Sequence, residues 1–324
     1  RMAGALPESV FVGIAGEHVR AMTSRGIVAV AADEIARADV ERANQVARAQ
    51  AIPQDRELLH AIPQEYTVDH TGGIQDPIGM TGMRLETEMY LISVGAQPAT
   101  NLRKSVERAG LRARELVLEP LASALAVLTE DEKELGVALV ELGAAATDVA
   151  VFHEGKIRHL ATIPFGGTHV TSDLVHGVGV TQADAESLKE HYGAALEALV
   201  DPDQGMDEIF DLVQRSVQNA GFGGRLSGGI VLTGGGAELP GATELAGEVF
   251  GIKVRAGVPG EQVGGLRDTL ESPRSATAVG LALYGATRVA LGGATPPAGK
   301  RIPYTAPGVD KWAQRVKLWL QDFF

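Results

Sequence analysis

The chain has 324 residues, 45% apolar and 22% charged, with a formal net charge of −12 and no cysteine. That length supports roughly two domains with sizeable cores. The acidic balance argues against bulk nucleic-acid binding, which needs phosphate neutralisation, and the lack of cysteine excludes disulfides, cysteine-ligated zinc and thiol catalysis. Forty glycines and only 5% aromatics suit a glycine-punctuated α/β protein better than a helical bundle or a β-sandwich. No apolar run reaches the roughly 18 residues of a spanning helix, and no signal peptide opens the chain. Arg1 stands where Met is expected, which points to a fragment or a misassigned start.

In chain order, Arg1 to Pro7 reads as the end of a helix, and Ser9 to Ala15 and Gly26 to Ala32 as strands. Asp33 is placed to cap a short helix. Asp39 to Ala51 is predicted as an amphipathic helix, with Asp39 as N-cap and Val40, Ala43, Val46, Ala47 and Ala51 on one face. Pro53 ends it. His60 to Val68 and Met83 to Gly95 carry strand signals around a Gly/Pro-rich link from Thr71 to Gly82. Pro98 to Gly110 is a predicted helix with Gly110 as C-cap. Leu111 to Leu118 is extended, and Glu119-Pro120 opens an Ala/Leu-rich helix to Leu128.

The centre of the chain, Gly136 to Phe152 (GVALVELGAAATDVAVF), reads as a buried strand ending at Glu141-Leu142, a tight turn, and a second strand from Asp148. A turn of Gly and Ala lets backbone N–H groups approach an anion closely, so Gly143, Thr147 and Asp148 are candidates for holding a phosphate. The plainer reading is a core hairpin whose small residues only pack tightly. Lys156 to Pro164 adds a strand ending in Phe165-Gly166-Gly167, and short turns between the three predict antiparallel pairing. Thr168 to Gly177, Gln182 to Tyr192 and Asp207 to Gln218 read as helices. Gly229 to Thr233 is a short buried strand running into Gly234-Gly235-Gly236 and an expected helix from Leu239 to Phe250. Strand, triple Gly, helix is an arrangement that lays backbone against a phosphate or nucleoside. Ser272 to Gly285 is a further helix.

Gly292 to Gly308 is Pro/Gly-rich and reads as a flexible linker. Beyond it, Val309, Trp312, Val316, Trp319, Leu320 and Phe323 form one helical stripe flanked by Lys311, Arg315 and Lys317. Sixteen residues give about 24 Å of helix, short for a span and too charged. A basic amphipathic helix with both of the chain's Trp reads as an in-plane membrane anchor; the alternative is a helix docking on its own domain or on a partner.

The eight His are scattered, with no zinc-protease motif, and read as ordinary surface or core residues. Glu186 and Lys189, three apart on one helix face, can reach ribose hydroxyls or an adenine edge, or simply pair with each other. No G-x-S-x-G or Walker A pattern is present.

The order of these motifs resembles a family. A Gly-rich hairpin with Thr-Asp, then PFGG, then AESLKEHYG, then VLTGGGA is similar to the actin/Hsp70/sugar-kinase ATPase fold. VFVGIAGEHVRAM, IPQDRELLHAIPQEY, DPIGMTG, EPLASALAVLTEDEKELGVALV and the C-terminal amphipathic helix resemble, over almost the whole chain, the FtsA family of bacterial actin-like cell-division proteins. The resemblance implies an α/β, actin-like (ribonuclease H-like) two-lobed fold with an inserted IC subdomain. Its expected boundaries are IC at 1–82, the remainder of IA at 83–135, IIA at 136–172 and 227–291, a shortened IIB at 173–226, a linker at 292–308 and the membrane helix at 309–324.

By the same resemblance, ATP with Mg is held by Gly143, Thr147 and Asp148 (second phosphate loop), Gly166 and Gly167, Glu186 and Lys189 (ribose and adenine), and Gly234, Gly235 and Gly236 (adenosine). The helix carrying Asp207, Asp211, Arg215 and Asn219 is the face expected to receive the FtsZ tail. Further implied are filament formation, other divisome partners, no nucleic acid, and a place on the cytoplasmic face of the inner membrane at the division septum. The family's D-I-G-T first phosphate loop would precede Arg1. Its D-I-G-G-G-T-T-D is here Glu141 to Asp148, ELGAAATD. Added Cβ atoms restrict the backbone near phosphate, which predicts weakened ATP binding and at most very slow hydrolysis, with no catalytic residue assigned. The alternatives are a pilus-assembly-type adaptor, which would lack the tail helix, or a small-molecule kinase of the same superfamily, against which the tail and the inserted subdomain argue.

Overall fold

The computed structural model describes residue 7 and residues 9–49, 52–193, 206–260 and 270–290. The predicted linker and the tail helix with Lys311, Trp312, Arg315, Val316, Lys317, Trp319, Leu320 and Phe323 lie outside the described residues, as do the predicted helix end at 1–6, Ala51 and the shortened stretch before Met206. The chain divides into two compact units, one built on residues 18–113 with 287–290, the other on residues 9–17 with 114–286.

The first unit is a four-stranded antiparallel sheet with a helix on one face. Strands β2 (Arg20–Ala29), β3 (Arg56–Val68), β4 (Thr71–Ile74) and β5 (Arg84–Gly95) are ordered β2-β5-β3-β4. Helix α1 (Arg37–Arg48) buries Ala43 and Ala47 against Tyr66, Leu85, Met89 and Leu91 of the sheet. It approaches so closely that a Cβ on Gly26 would stand 2.0 Å from the Ala43 carbonyl oxygen. Helix α2 (Ala96–Arg108) follows. The expected N-cap of α1 is corrected: Ala36 caps, and Asp39 sits in the first turn, where its carboxylate accepts from the Ala36 N–H at 2.9 Å. Val46 is exposed rather than on the buried face. No helix follows Asp33; Glu34 instead bridges to Thr81.

The second unit holds a five-stranded mixed sheet of β7 (Val137–Leu142), β8 (Thr147–His153), β9 (Lys156–Ile163), β10 (Gly229–Thr233) and β11 (Val254–Ala256), in the order β11-β10-β7-β8-β9. The β7–β8–β9 meander is antiparallel, as its short turns predict, whereas β10 runs parallel to both β7 and β11. β1 (Ser9–Ile14) pairs separately with β6 (Arg112–Leu118). The helices are α3 (Glu119–Val127), α4 (Glu130–Leu135), α5 (Gly167–Val178), α6 (Gln182–Tyr192), α7 (Met206–Asn219), α8 (Ala242–Phe250) and α9 (Ala276–Ala290). α7 buries Met206, Ile209, Phe210, Val213 and Val217 with Ala138, Val140, Val149 and Val151 of the sheet, an i, i+3, i+4, i+7 face against alternating strand residues. The expected helix from Leu239 starts later, at Ala242, because Gly235–Glu238 forms a separate 3₁₀ turn. Among the described residues, no helix is long and apolar enough to cross a membrane.

Candidate functional site

Parallel strands β7 and β10 end side by side, with Glu141 opposite Thr233. The loops leaving such ends form the crevice in which α/β proteins place ligands. On the other side of β7, Glu141 faces Asp148 and Leu142 faces Thr147, which leaves Gly143 to Ala146 as a four-residue turn closed by Gly143 N–H donating to the Ala146 carbonyl at 3.0 Å. Ala144 and Ala145 are exposed at its tip.

The Phe165-Gly166-Gly167 segment packs directly on this turn. Thr147, fully buried, donates its hydroxyl to the Phe165 carbonyl at 2.8 Å. Gly167 N–H donates to Gly143 O at 2.9 Å and Thr168 N–H to Ala144 O at 2.8 Å, so the first donors of α5 are taken up by the turn itself. Gly166 cannot be anything larger: a Cβ there would stand 2.6 Å from Gly143 O and 2.8 Å from Ala144 O. Gly166 N–H donates to His169 Nδ1 at 3.1 Å, which closes the start of the helix.

α6 is stitched to the same place. Lys189 Nζ donates to Gly167 O at 3.0 Å and to Thr171 Oγ1 at 2.8 Å, and pairs with Glu186 at 2.8 Å. Its hydrogen bond to Lys189, and a second from Thr171, hold the Glu186 carboxyl below its usual range. Glu186 and Lys189 are therefore more than a solvated helix pair, because the lysine is mostly buried and fixes the N-terminus of α5. On the β10 side, Gly234 has φ +84° and a Cβ would meet Leu142 O at 2.5 Å, while Gly235 faces open space. Gly143, Thr147, Asp148, Gly166, Gly167 and Gly234 to Gly236 thus lie on or beside three turns gathered around one strand end, and Glu186 and Lys189 belong to helix α6, whose Lys189 reaches one of them at Gly167.

Three residues of this locality carried no assigned role in the sequence reading: Glu119, Ser123 and Thr277. Glu141 is only 8% exposed, and its carboxylate accepts from Ser123 Oγ at 3.2 Å and from the Thr277 hydroxyl. Burial pushes its pKa up to about 7, with the Thr277 bond opposing, the charges of Glu119 and Asp148 adding, and the Ser123 bond opposing. Asp148 is raised by burial against bonds from Thr162 Oγ1 at 2.5 Å and from Gly16 N–H. Glu119 is raised by burial and then by Asp148. The Glu-Pro pair signalled only a helix start in the sequence; its carboxylate joins the others through the fold. Among the described residues no three acids or histidines converge as a metal site. A Mg²⁺ ion here would depend on ligand phosphates and water, which is how that ion is usually held.

On α7, Asp211, Arg215 and Asn219 are exposed at four-residue spacing and Asp207 is half-buried, so three of the four residues expected to meet a partner line one open stripe. An apolar pocket of about 290 Å³ between α7 and α8, lined in part by Val217, Phe222, Leu226 and Phe250, lies beside that stripe.

Comparison with known proteins follows this division. Residues 16–93 match the family model described as the SHS2 domain inserted in FtsA, and residues 138–280 match that of the cell division protein FtsA. The cell division protein FtsA of Pseudomonas aeruginosa is 39% identical over 350 aligned positions, covering 100% of this chain and 84% of the relative. That of Escherichia coli is 33% identical, covering 100% of this chain and 83% of the relative. Among solved structures, the PilM–PilN type IV pilus biogenesis complex is similar in fold, with a TM-score of 0.63 at 18% identity over 86% of this chain and 80% of that one. With its actin-like α/β architecture and SHS2 insert, the chain belongs to the FtsA family of cell-division proteins.

Proposed function

We propose that this protein is a scaffold of the division septum that binds ATP with Mg, self-associates into actin-like filaments, holds the FtsZ tail and tethers it to the cytoplasmic face of the inner membrane. The observation that supports the nucleotide part is the gathering of three turns and helix α6, remote in sequence, around the end of β7. In this reading Gly234 to Gly236 lie along the adenosine, Glu186 and Lys189 hold the ribose, and Gly143, Thr147, Asp148, Gly166 and Gly167 flank the phosphates. Bound Mg-ATP would supply the phosphate groups that these turns flank.

The chain's own residues argue for weak affinity. The N–H groups of Gly167 and Thr168 already donate to Gly143 and Ala144, so a phosphate would have to displace protein acceptors, and alanines stand where glycines would let the backbone come closer. Calorimetry with Mg-ATP tests this reading. Weak, saturable binding is expected; sub-millimolar affinity would contradict the weakening, and no binding would remove the nucleotide from the account. The exposed Asp211–Arg215–Asn219 stripe is the surface assigned to the FtsZ tail.

The membrane part rests on the sequence of residues 309–324. Co-sedimentation with anionic liposomes should require that segment, and Trp312→Glu with Trp319→Glu should abolish it. Equal pelleting of the double variant would sink the anchor.

A further inference from the structure

The first unit carries an apolar knob. Between β4 and β5, residues 75–83 expose three large apolar side chains, Ile78 at 46%, Met80 at 37% and Met83 at 79%. Backbone hydrogen bonds hold this segment in place. Ile35 N–H donates to Met80 O and Gly79 N–H to Ile35 O, each at 2.9 Å, while Asp69 accepts from Met83 N–H at 3.0 Å and from Arg84 N–H at 2.8 Å. A segment fixed in this way keeps its apolar groups in water, and clustered exposed apolar groups mark an interaction site. Exposed acids border the knob: Asp76 within the segment, and Asp33 and Glu34, the latter bridging to Thr81. Arg84 is taken up by Glu86, and Arg37 at the start of α1 is the opposing charge on this border.

The second unit carries a complementary hollow. The pocket between α7 and α8 has buried Val217, Leu226 and Ile230 at its floor, with Phe222, Phe250 and Ile252 beside them. Its border is basic. Arg215 follows the lining Gln214, Arg225 stands between the lining Gly224 and Leu226, and Lys253 follows the lining Ile252. All three are exposed, and among the described residues none of them has an ion-pair partner. Asp211, one turn before Arg215 on α7, is the acid on that side.

Resting on the self-association reading above, we propose that copies of this chain join by seating the Ile78–Met80–Met83 knob of one copy in the α7–α8 pocket of another, with the acids around the knob facing the bases around the pocket. Methionine suits such a hollow, because its unbranched side chain fills irregular apolar gaps. The opposite charges of the two borders set the register and disfavour other pairings. A second copy fits better than a foreign peptide, because both halves of the match, apolar and charged, are present on this one chain. Knob and pocket are different surfaces, so the contact is heterologous and can repeat from copy to copy into an open assembly.

The test is sedimentation velocity of the full chain with Mg-ATP over a range of protein concentrations. Wild type should assemble in a concentration-dependent way. Met83→Glu puts a charge on the knob and should weaken assembly about tenfold, as the loss of one buried anchor does. Arg225→Glu with Lys253→Glu should weaken it similarly, and so should Asp33→Lys with Glu34→Lys. All five positions are exposed, so these variants leave the cores untouched. The decisive variant carries both charge reversals in one chain, which makes the two borders attract again and should restore assembly. Assembly unchanged in every variant, or weakened by each reversal and not restored by the combination, overturns the contact and leaves self-association standing. Wild type that stays monomeric at every concentration defeats the self-association reading and the contact with it. A pocket reversal that abolishes binding of a synthetic FtsZ-tail peptide yet leaves assembly intact gives the pocket to that peptide and overturns the proposal.

Discussion

The two units bury ionisable groups in opposite senses. In the first, His60 on β3 is 2% exposed, and burial, with the Arg288 charge adding, lowers its pKa to about 3. In the second, Glu141 on β7 is raised to about 7. Burial favours the uncharged form of both, because a charge loses its hydration on burial, yet the consequences for stability run in opposite directions. Between pH 6.5 and 3 the unfolded chain binds a proton at His60 that the folded chain refuses, so stability is lost as pH falls. Between pH 4.5 and 7 the folded chain holds a proton on Glu141 that the unfolded chain releases, so stability is lost as pH rises. The contrast also separates places in the fold. His60 lies in a sheet packed as core, while Glu141 stands at a strand end beside the glycine turns.

The largest effect should come from acid. Denaturant melts from pH 7 to pH 4 should show the segment around β3 losing roughly 3 kcal/mol through His60, and His60→Gln should flatten that slope; an unchanged slope would remove His60 from the comparison. Next, the second unit should lose roughly 2–3 kcal/mol between pH 5 and pH 8 through Glu141. Hydrogen exchange resolved by segment should localise the loss to β7 and β8, and Glu141→Gln should abolish it. Gly166→Ala should cost about 1–3 kcal/mol, because its Cβ has only backbone atoms to displace. The hairpin turn and the start of α5 should then exchange faster while the first unit stays unchanged. The smallest effect belongs to the solvated pair Arg25–Glu88, 3.1 Å apart with Arg25 largely exposed: Arg25→Ala should change stability by less than about 1 kcal/mol.

Much of the fold was legible where period and punctuation agree. β7, β8, β10 and α6 fall where alternating or helical apolar patterns end at Gly or Thr, and the antiparallel meander follows from its short turns. β2 was read as starting at Gly26, whereas it starts at Arg20. Its buried positions there are Ser24 and Gly26, which carry no apolar signal but let α1 approach. α4 has six residues, too few for a periodic pattern, although Thr129 and Glu132 cap each other in the way that T-x-x-E announces. β11, three residues long, left no signal of its own. In the site, the glycines and the Thr-Asp pair were visible as turns able to admit an anion. Glu119, Ser123 and Thr277 were not, because nothing local distinguishes a helix-starting Glu or a helical Ser or Thr from one that faces a buried acid.

The sequence by itself determined most of the elements, the glycine turns and the family, because periodicity, capping and turn chemistry are local and the motif order is specific. Only the tertiary structure decided which turns share one strand end, that the donors of α5 are taken up by the hairpin, and that the carboxyl groups of Glu119, Glu141 and Asp148 act on one another. Those are consequences of long-range packing: burial sets the charge state of Glu141 and His60, and burial is a property of the assembled core, not of either residue's neighbours in the chain.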